Sequence, residues 1–151
     1  MLLPELNFPK IKLKSKLVNG VTQVFDIVRK DYFVLTPEEW VRQHIIHFLI
    51  NSKNYPVGLM QVEKLAQYNN LKTRADIIVN DRDFKPIILV ECKASTVSIG
   101  KDAFDQIAKY NFSLHAKYLF VTNGLKHYCC SIDYKNGKTS YLKDIPEYIS
   151  S

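Results

Sequence analysis

Apolar residues recur along this chain in two periods, and the points where the period changes divide it into elements. After Thr36-Pro37-Glu38-Glu39, the residues Val41, Ile45, Phe48 and Leu49 fall on one stripe of a 3.6-residue helix, widened by Trp40 and Ile46. Thr36 suits the N-cap, Pro37 the first helical position and Glu39 a capping box, so a helix is predicted over residues 36–50. Turn residues at 54–58 follow it. Three β segments come next, at 59–67, 73–79 and 86–93, separated by loops rich in Asn and Asp. A second helix fits 101–114. Residues 118–121 read as a buried strand ended by Asn123-Gly124, and 128–134 with 139–142 as a hairpin around Asn136-Gly137.

Upstream of the first helix, Lys10-Ile11-Lys12-Leu13-Lys14-Ser15-Lys16 alternates basic and mostly apolar residues, and Asn19-Gly20 marks a tight turn before the β-rich run 21–28. A hairpin with one charged face is expected. That face is either a phosphate contact or, more commonly in proteins, an edge strand guarded by lysines. No repeat and no Gly/Ser-rich linker divides the chain. The expected organisation is an N-terminal β arm over 1–35 and a core over 36–151, one structural domain overall. The predicted class is α/β, with a mixed central sheet flanked by the two helices and extended by terminal β segments. The crossover from the 86–93 strand through the second helix to 118–121 is expected to be parallel and right-handed.

Composition narrows the partners. At 151 residues one core is the default, and 46% hydrophobic with 24% charged residues argues against global disorder. A formal charge of +6 and a pI near 9.2 favour an acidic partner such as nucleic acid. Cys92, Cys129 and Cys130 give neither an even disulfide framework nor zinc-ligand spacing. With no signal-peptide core and no run near 18 apolar residues, a soluble, reduced, cytoplasmic protein without a membrane partner is expected.

Chemistry concentrates at the end of the 86–93 strand. Ile87-Ile88-Leu89-Val90 is apolar on both faces, the pattern of a central strand, and then turns polar at Glu91 and Lys93, which alternation places on one face with Cys92 on the other. A structural Glu91–Lys93 ion pair is one explanation. Asp76 supplies another: if the 80–85 loop closes an antiparallel hairpin, paired positions sum to about 167 and Asp76 faces Glu91. Two opposed carboxylates repel unless a cation or proton lies between them. Mg²⁺ suits them, because it prefers oxygen ligands and keeps several waters beside one or two carboxylates. In that reading Asp76 and Glu91 bind metal with the backbone carbonyl of Cys92, while Lys93 orients the attacking water and steadies charge on a phosphate. His44, His47, His115 and His127 form no compelling metal set, and Cys92 is expected to be a buried, inert thiol.

At these residues the sequence resembles the PD-(D/E)xK nuclease superfamily, the motif reading Ala75-Asp76, a loop, then Glu91-Cys92-Lys93. Ala75 stands where the superfamily's name has proline. The wider pattern is Phe25-Asp26-Ile27-Val28-Arg29-Lys30, the stretch from Leu35 through Gln43, Arg74-Ala75-Asp76-Ile77-Ile78-Val79, Val90-Glu91-Cys92-Lys93-Ala94, Gln106, Tyr110-Asn111 and Thr122-Asn123-Gly124. Over residues 10–134 it resembles the N-terminal nuclease domain of type I restriction enzyme R subunits, in a small stand-alone form. The resemblance implies Mg²⁺-dependent DNA cleavage, with Mn²⁺ able to substitute, and gives Asp76, Glu91 and Lys93 the catalytic roles. Gln106 and Tyr110, at i,i+4, match a Gln-x-x-x-Tyr feature that helps position DNA or active-site groups; the plain reading is a solvated Gln106 and a core Tyr110. Glu39 is a further metal candidate that its capping role also explains, and Glu63 is a secondary one. The sequence holds no Gly-x-x-x-x-Gly-Lys loop, so ATP-driven restriction by this chain alone is not expected. DNA, a homodimer and a separate helicase or methyltransferase are the partners implied. The alternative is a non-catalytic nucleic-acid-binding or assembly module with the same fold.

Overall fold

The computed structural model describes the backbone of residues 3–68 and 71–149, and their side chains except those of 64–68, 71–74, 109, 110, 112 and 113. Asn19 and Gly20, at φ 50° and 78°, turn β1 (Ser15–Val18) back onto β2 (Val21–Asp26), as the dipeptide predicts. Beyond the expected hairpin the structure adds a third strand, β3 (Asp31–Val34), giving an antiparallel sheet in the order β1-β2-β3. The apolar run 21–28 hides this reversal. Asp26 makes it, its Oδ1 accepting from the backbone N–H of Val28 at 2.7 Å and of Arg29 at 2.9 Å, so the chain turns and comes back.

Helix α1 (Pro37–Asn51) begins as the cap residues require, with Thr36 Oγ1 accepting from the Glu39 N–H at 3.0 Å. A short 3₁₀ turn (Val57–Leu59) leads into β4 (Met60–Tyr68), β5 (Leu71–Asn80) and β6 (Pro86–Cys92). Helix α2 (Lys101–Leu114) then carries the chain to β7 (Tyr118–Thr122), followed by β8 (His127–Asp133) and β9 (Lys138–Leu142). These six strands form one sheet in sequence order, antiparallel throughout except for the parallel β6/β7 pair, so the sheet is mixed and the β6–α2–β7 crossover parallel as expected.

Strand alternation gives each face of the sheet its own core. Ile88, Val90 and Cys92 of β6 pack with Ile77 and Val79 of β5 against Val41, Ile45, Ile46 and Leu49 of α1. On the other side Leu89 joins Ile78, Leu119, Val121 and Ile107 of α2. Both chain ends add to the α1 side: Ile145 is buried, and so is Leu6, within the stretch read as an arm. Leu6 lies on Gly124, whose φ of +86° and missing side chain let it approach, and the Asn7 N–H bonds the Gly124 carbonyl at 2.8 Å. Among the described residues no helix is long and apolar enough to cross a membrane.

Candidate functional site

The β5/β6 ladder has the register that brings the two acids together. Ile77 pairs with Val90, Ile78 with Leu89 and Val79 with Ile88, each pair summing to 167. One step further the ladder stops, and Asp76 replaces a strand carbonyl with its own carboxylate: Oδ2 accepts from the Cys92 N–H at 2.7 Å. On the other side of β5, Val62↔Ile77 and Lys64↔Ala75 are paired while Glu63, which faces Asp76 between them, takes φ +56°. A left-handed non-glycine residue inside a strand is strained by about 1–3 kcal/mol and is found chiefly at functional sites. Glu63 Oε1 lies 3.4 Å from Arg42 Nη2, so this secondary candidate joins the same cluster.

Glu91 is 4% exposed. Its Oε1 accepts from Lys93 Nζ at 3.2 Å, and its Oε2 is buried without a hydrogen-bond partner among the described residues. Burial, then the nearby Asp76 charge, pushes the Glu91 carboxyl up to about 8, with Lys93 pulling the other way. For Lys93 burial is the largest influence and lowers its pKa, but the charge and hydrogen bond of Glu91 outweigh it, so the ammonium holds its proton more tightly than usual. The Lys93 backbone N–H bonds Thr122 O of β7 at 2.9 Å, continuing the parallel pairing past the end of β6. Lys93 Nζ also donates to Gln106 Oε1 of α2 at 3.3 Å. Gln106 thus meets the site, while the side chain of Tyr110 lies outside the described residues.

Above the strands lies a charged network that the sequence did not reveal. Arg42, 5% exposed on α1, directs Nη2 to Asp76 Oδ1 at 3.3 Å, Glu38 Oε1 at 3.2 Å and Glu63 Oε1 at 3.4 Å, and Nη1 to Glu39 Oε1 at 2.9 Å. Glu39 Oε1 also accepts from Arg29 Nη2 at 2.7 Å and its Oε2 from Gln43 Nε2 at 3.2 Å. Glu39 is therefore held by two arginines and a glutamine as well as serving the helix start. Asp26, fully buried, receives Arg29 Nε at 2.8 Å and Gln43 Nε2 at 2.9 Å, and ties the three-stranded sheet to α1. Burial is the largest influence on Asp26 and raises its pKa, but the bonds from Arg29 and Gln43 bring it below the usual carboxylate range. In Glu38 burial, followed by the Asp76 charge, wins and the pKa rises. A signal was present: Glu39, Arg42 and Gln43 stand seven, four and three residues before Ile46, the spacing of the buried stripe, so their polar groups needed internal partners.

A groove of about 520 Å³ opens on this cluster, bounded by Arg29, Phe33, Val34, Arg42, Glu63 and Ala94. A smaller cavity of about 250 Å³, between the β5–β6 turn and the C-terminal tail, contains none of the site residues. The histidines serve packing: His44 Nδ1 lies 2.8 Å from Trp40 O, and His127 bridges Thr122 Oγ1 and Asn7 O. Burial pushes the Cys92 thiol pKa well up, next to the Asp76 charge, which keeps it protonated.

A mixed sheet with helices on both faces, gathering two carboxylates and a lysine where two adjoining strands part, has the form of a nuclease-like domain. The chain belongs to the family described as type I restriction enzyme R protein N terminus (HSDR_N), which matches residues 37–146. Among solved structures it is similar to a fragment assigned to the HsdR subunit of a type I restriction enzyme from Vibrio vulnificus YJ016. The TM-score is 0.52 and the identity 22%, over 75% of this chain and 24% of that one. That likeness is one of fold, and the chain spans about a quarter of that protein's length. No curated protein matches the sequence. The family match takes in Arg42, Glu63, Asp76, Glu91, Lys93 and Gln106, and begins after the three-stranded sheet.

Proposed function

We propose that the protein is a Mg²⁺-dependent nuclease of the PD-(D/E)xK type that hydrolyses DNA phosphodiester bonds, with Asp76, Glu91 and Lys93 as its working residues. The observation that carries this reading is the buried, unpartnered Oε2 of Glu91 beside Asp76, an acceptor in need of a proton or a cation. Among the described residues no three His, Cys, Asp or Glu side chains are grouped to hold an ion by themselves. Mg²⁺ does not need such a cage: two carboxylates and the Cys92 carbonyl leave room for the waters and phosphate oxygens it takes as its other ligands. When bound, the ion supplies Lewis-acid polarisation of the phosphodiester and a more acidic water.

The chain's own groups supply the rest. Asp76 is oriented from both sides, Oδ2 by the Cys92 N–H and Oδ1 by Arg42, so it presents a fixed carboxylate. Glu91 would hold the ion in its deprotonated form, which its raised pKa makes pH-dependent. Lys93, steered by Glu91 and Gln106, orients the attacking water and stabilises negative charge on the phosphate. The chain works beside separate helicase or methyltransferase subunits, and two copies together cut both strands.

Calorimetry of Mg²⁺ or Mn²⁺ binding, with DNA cleavage assayed on the same samples, tests the reading in the native protein, Asp76→Ala and Glu91→Ala. Binding and cleavage should disappear together in both variants. A native protein that binds neither metal nor DNA would overturn the proposal and leave the assembly-module reading as the better account.

A further inference from the structure

The site leaves unused a run of positive charge near the start of the chain. Lys10, Lys12, Lys14 and Lys16 are all exposed, with no acidic residue among them. Strand register sets which neighbours share a face. Gln23 pairs with Lys16 on one side and Val34 on the other, and Phe25 pairs with Tyr32 while its N–H bonds the Lys14 carbonyl at 2.8 Å. Lys14, Lys16, Gln23, Phe25, Tyr32 and Val34 therefore form the outer face of the three-stranded sheet, and Val24 and Asp26 the buried one.

On that outer face Lys16 Nζ lies 4.1 Å from the Tyr32 ring centre and Lys14 Nζ 5.6 Å from that of Phe25, with the two rings edge to face at 5.3 Å. Such cation–π seats hold the ammonium groups over the sheet. They also cap the rings, so the surface presents positive charge in place of a stacking platform, which suits a phosphate backbone better than unpaired bases. Edge guarding does not account for the arrangement. A guard blocks the free edge of β1, whereas these lysines reach across the face, Lys16 as far as a ring on β3.

The face also continues from the groove. Val34 lines the groove wall, and the row Val34–Gln23–Lys16 crosses the sheet from that wall to the lysine, two strand spacings or about 10 Å away. We propose that this outer face holds the phosphate backbone of double-stranded DNA, without regard to sequence, while the opposite DNA strand enters the groove beside Arg42 and Glu63, the former in contact with Asp76. The proposal rests on the nuclease reading and adds the surface that seats the substrate.

Fluorescence anisotropy with a labelled DNA duplex in EDTA, repeated over a range of salt, tests it. The variants are Lys14→Gln/Lys16→Gln and, for a pair in no ring contact whose loss leaves the sheet packing untouched, Lys10→Gln/Lys12→Gln. Each pair should lower the slope of log affinity against log salt by about 1.8, so its deficit shrinks about twelvefold between 50 and 200 mM salt. Slopes equal to that of the native protein in both pairs would overturn the proposal, even if the native protein binds metal and cuts DNA. Tighter binding of an unpaired strand than of the duplex, abolished by Phe25→Ala, would overturn it in favour of base stacking. A native protein that binds no DNA would remove the nuclease reading as well.

Discussion

Replacing Glu91 by Gln should make the metal-free protein more stable, and by an amount that grows with pH. The Glu91 carboxyl is held at about 8 where an ordinary glutamate has 4.5, first by burial and then by Asp76. Between those values the native state keeps a proton that the unfolded chain has released. The native state thus binds more protons, so this group makes the unfolding free energy fall as pH rises from about 4.5 to about 8, and the fall ends above that. At about 1.4 kcal/mol per pH unit the whole window amounts to roughly 3–5 kcal/mol. Other groups titrate in the same range: burial also raises Glu38, with the same sign, and lowers His44, His47 and His127, whose contribution increases with pH. The difference between native and Glu91→Gln removes them. Urea unfolding in EDTA between about pH 5 and 9 should show the midpoint gap widening by about 2 M, given a slope of about 2 kcal/mol/M for a domain of this size. A gap that stays constant, or narrows with pH, would refute the claim that a buried proton on Glu91 neutralises the pair.

Arg42→Leu should destabilise the fold by about 3–5 kcal/mol, measured by urea unfolding, because it leaves the buried Glu39 and Asp76 carboxylates short of a counter-charge. Arg42→Lys should restore part of that loss. Gly124→Ala places a Cβ 2.7 Å from Leu6 Cδ2 at a φ of +86° and should lower stability by about 1–3 kcal/mol. In a double-mutant cycle with Leu6→Ala the steric part of that loss should disappear and the backbone part remain. Leu89→Ala, at a fully buried position in the α2-side core, should cost about 2–5 kcal/mol by urea unfolding.

Short-range rules carried most of the fold. The Thr36 cap, the apolar stripe of α1, the span of α2 and the Asn-Gly turns at 19–20 and 136–137 all depend on neighbouring residues, and the structure has each in place. The β5/β6 register was legible because one short loop joins the strands and period-two alternation excludes any pairing that puts Ile77 and Val90 on opposite faces; a bulge between Val79 and Asn80, which the sequence did not reveal, shifts it by one at the turn. What the sequence withheld depends on side chains meeting across long separations. Asp26 ends β2 through its own turn, and its link to Gln43 then joins the sheet to α1; Arg42 reaches Asp76 across 34 residues. Glu63 was legible only as a secondary candidate, since its backbone departs from the alternation used to read which way strand residues point.

The bond from the Cys92 N–H to Asp76 makes the two acids unequal in what the fold loses with each. Asp76→Ala removes the acceptor that closes the end of the β5/β6 pairing, leaving a buried N–H without its partner at about 1–3 kcal/mol. Glu91→Gln removes a carboxylate that burial drives toward its protonated form, and it keeps an amide oxygen able to accept from Lys93 Nζ. On the proposed nuclease reading, a silent but well-folded version of this domain is therefore reached through position 91, and a copy that has drifted out of use should retain its aspartate longer than its glutamate.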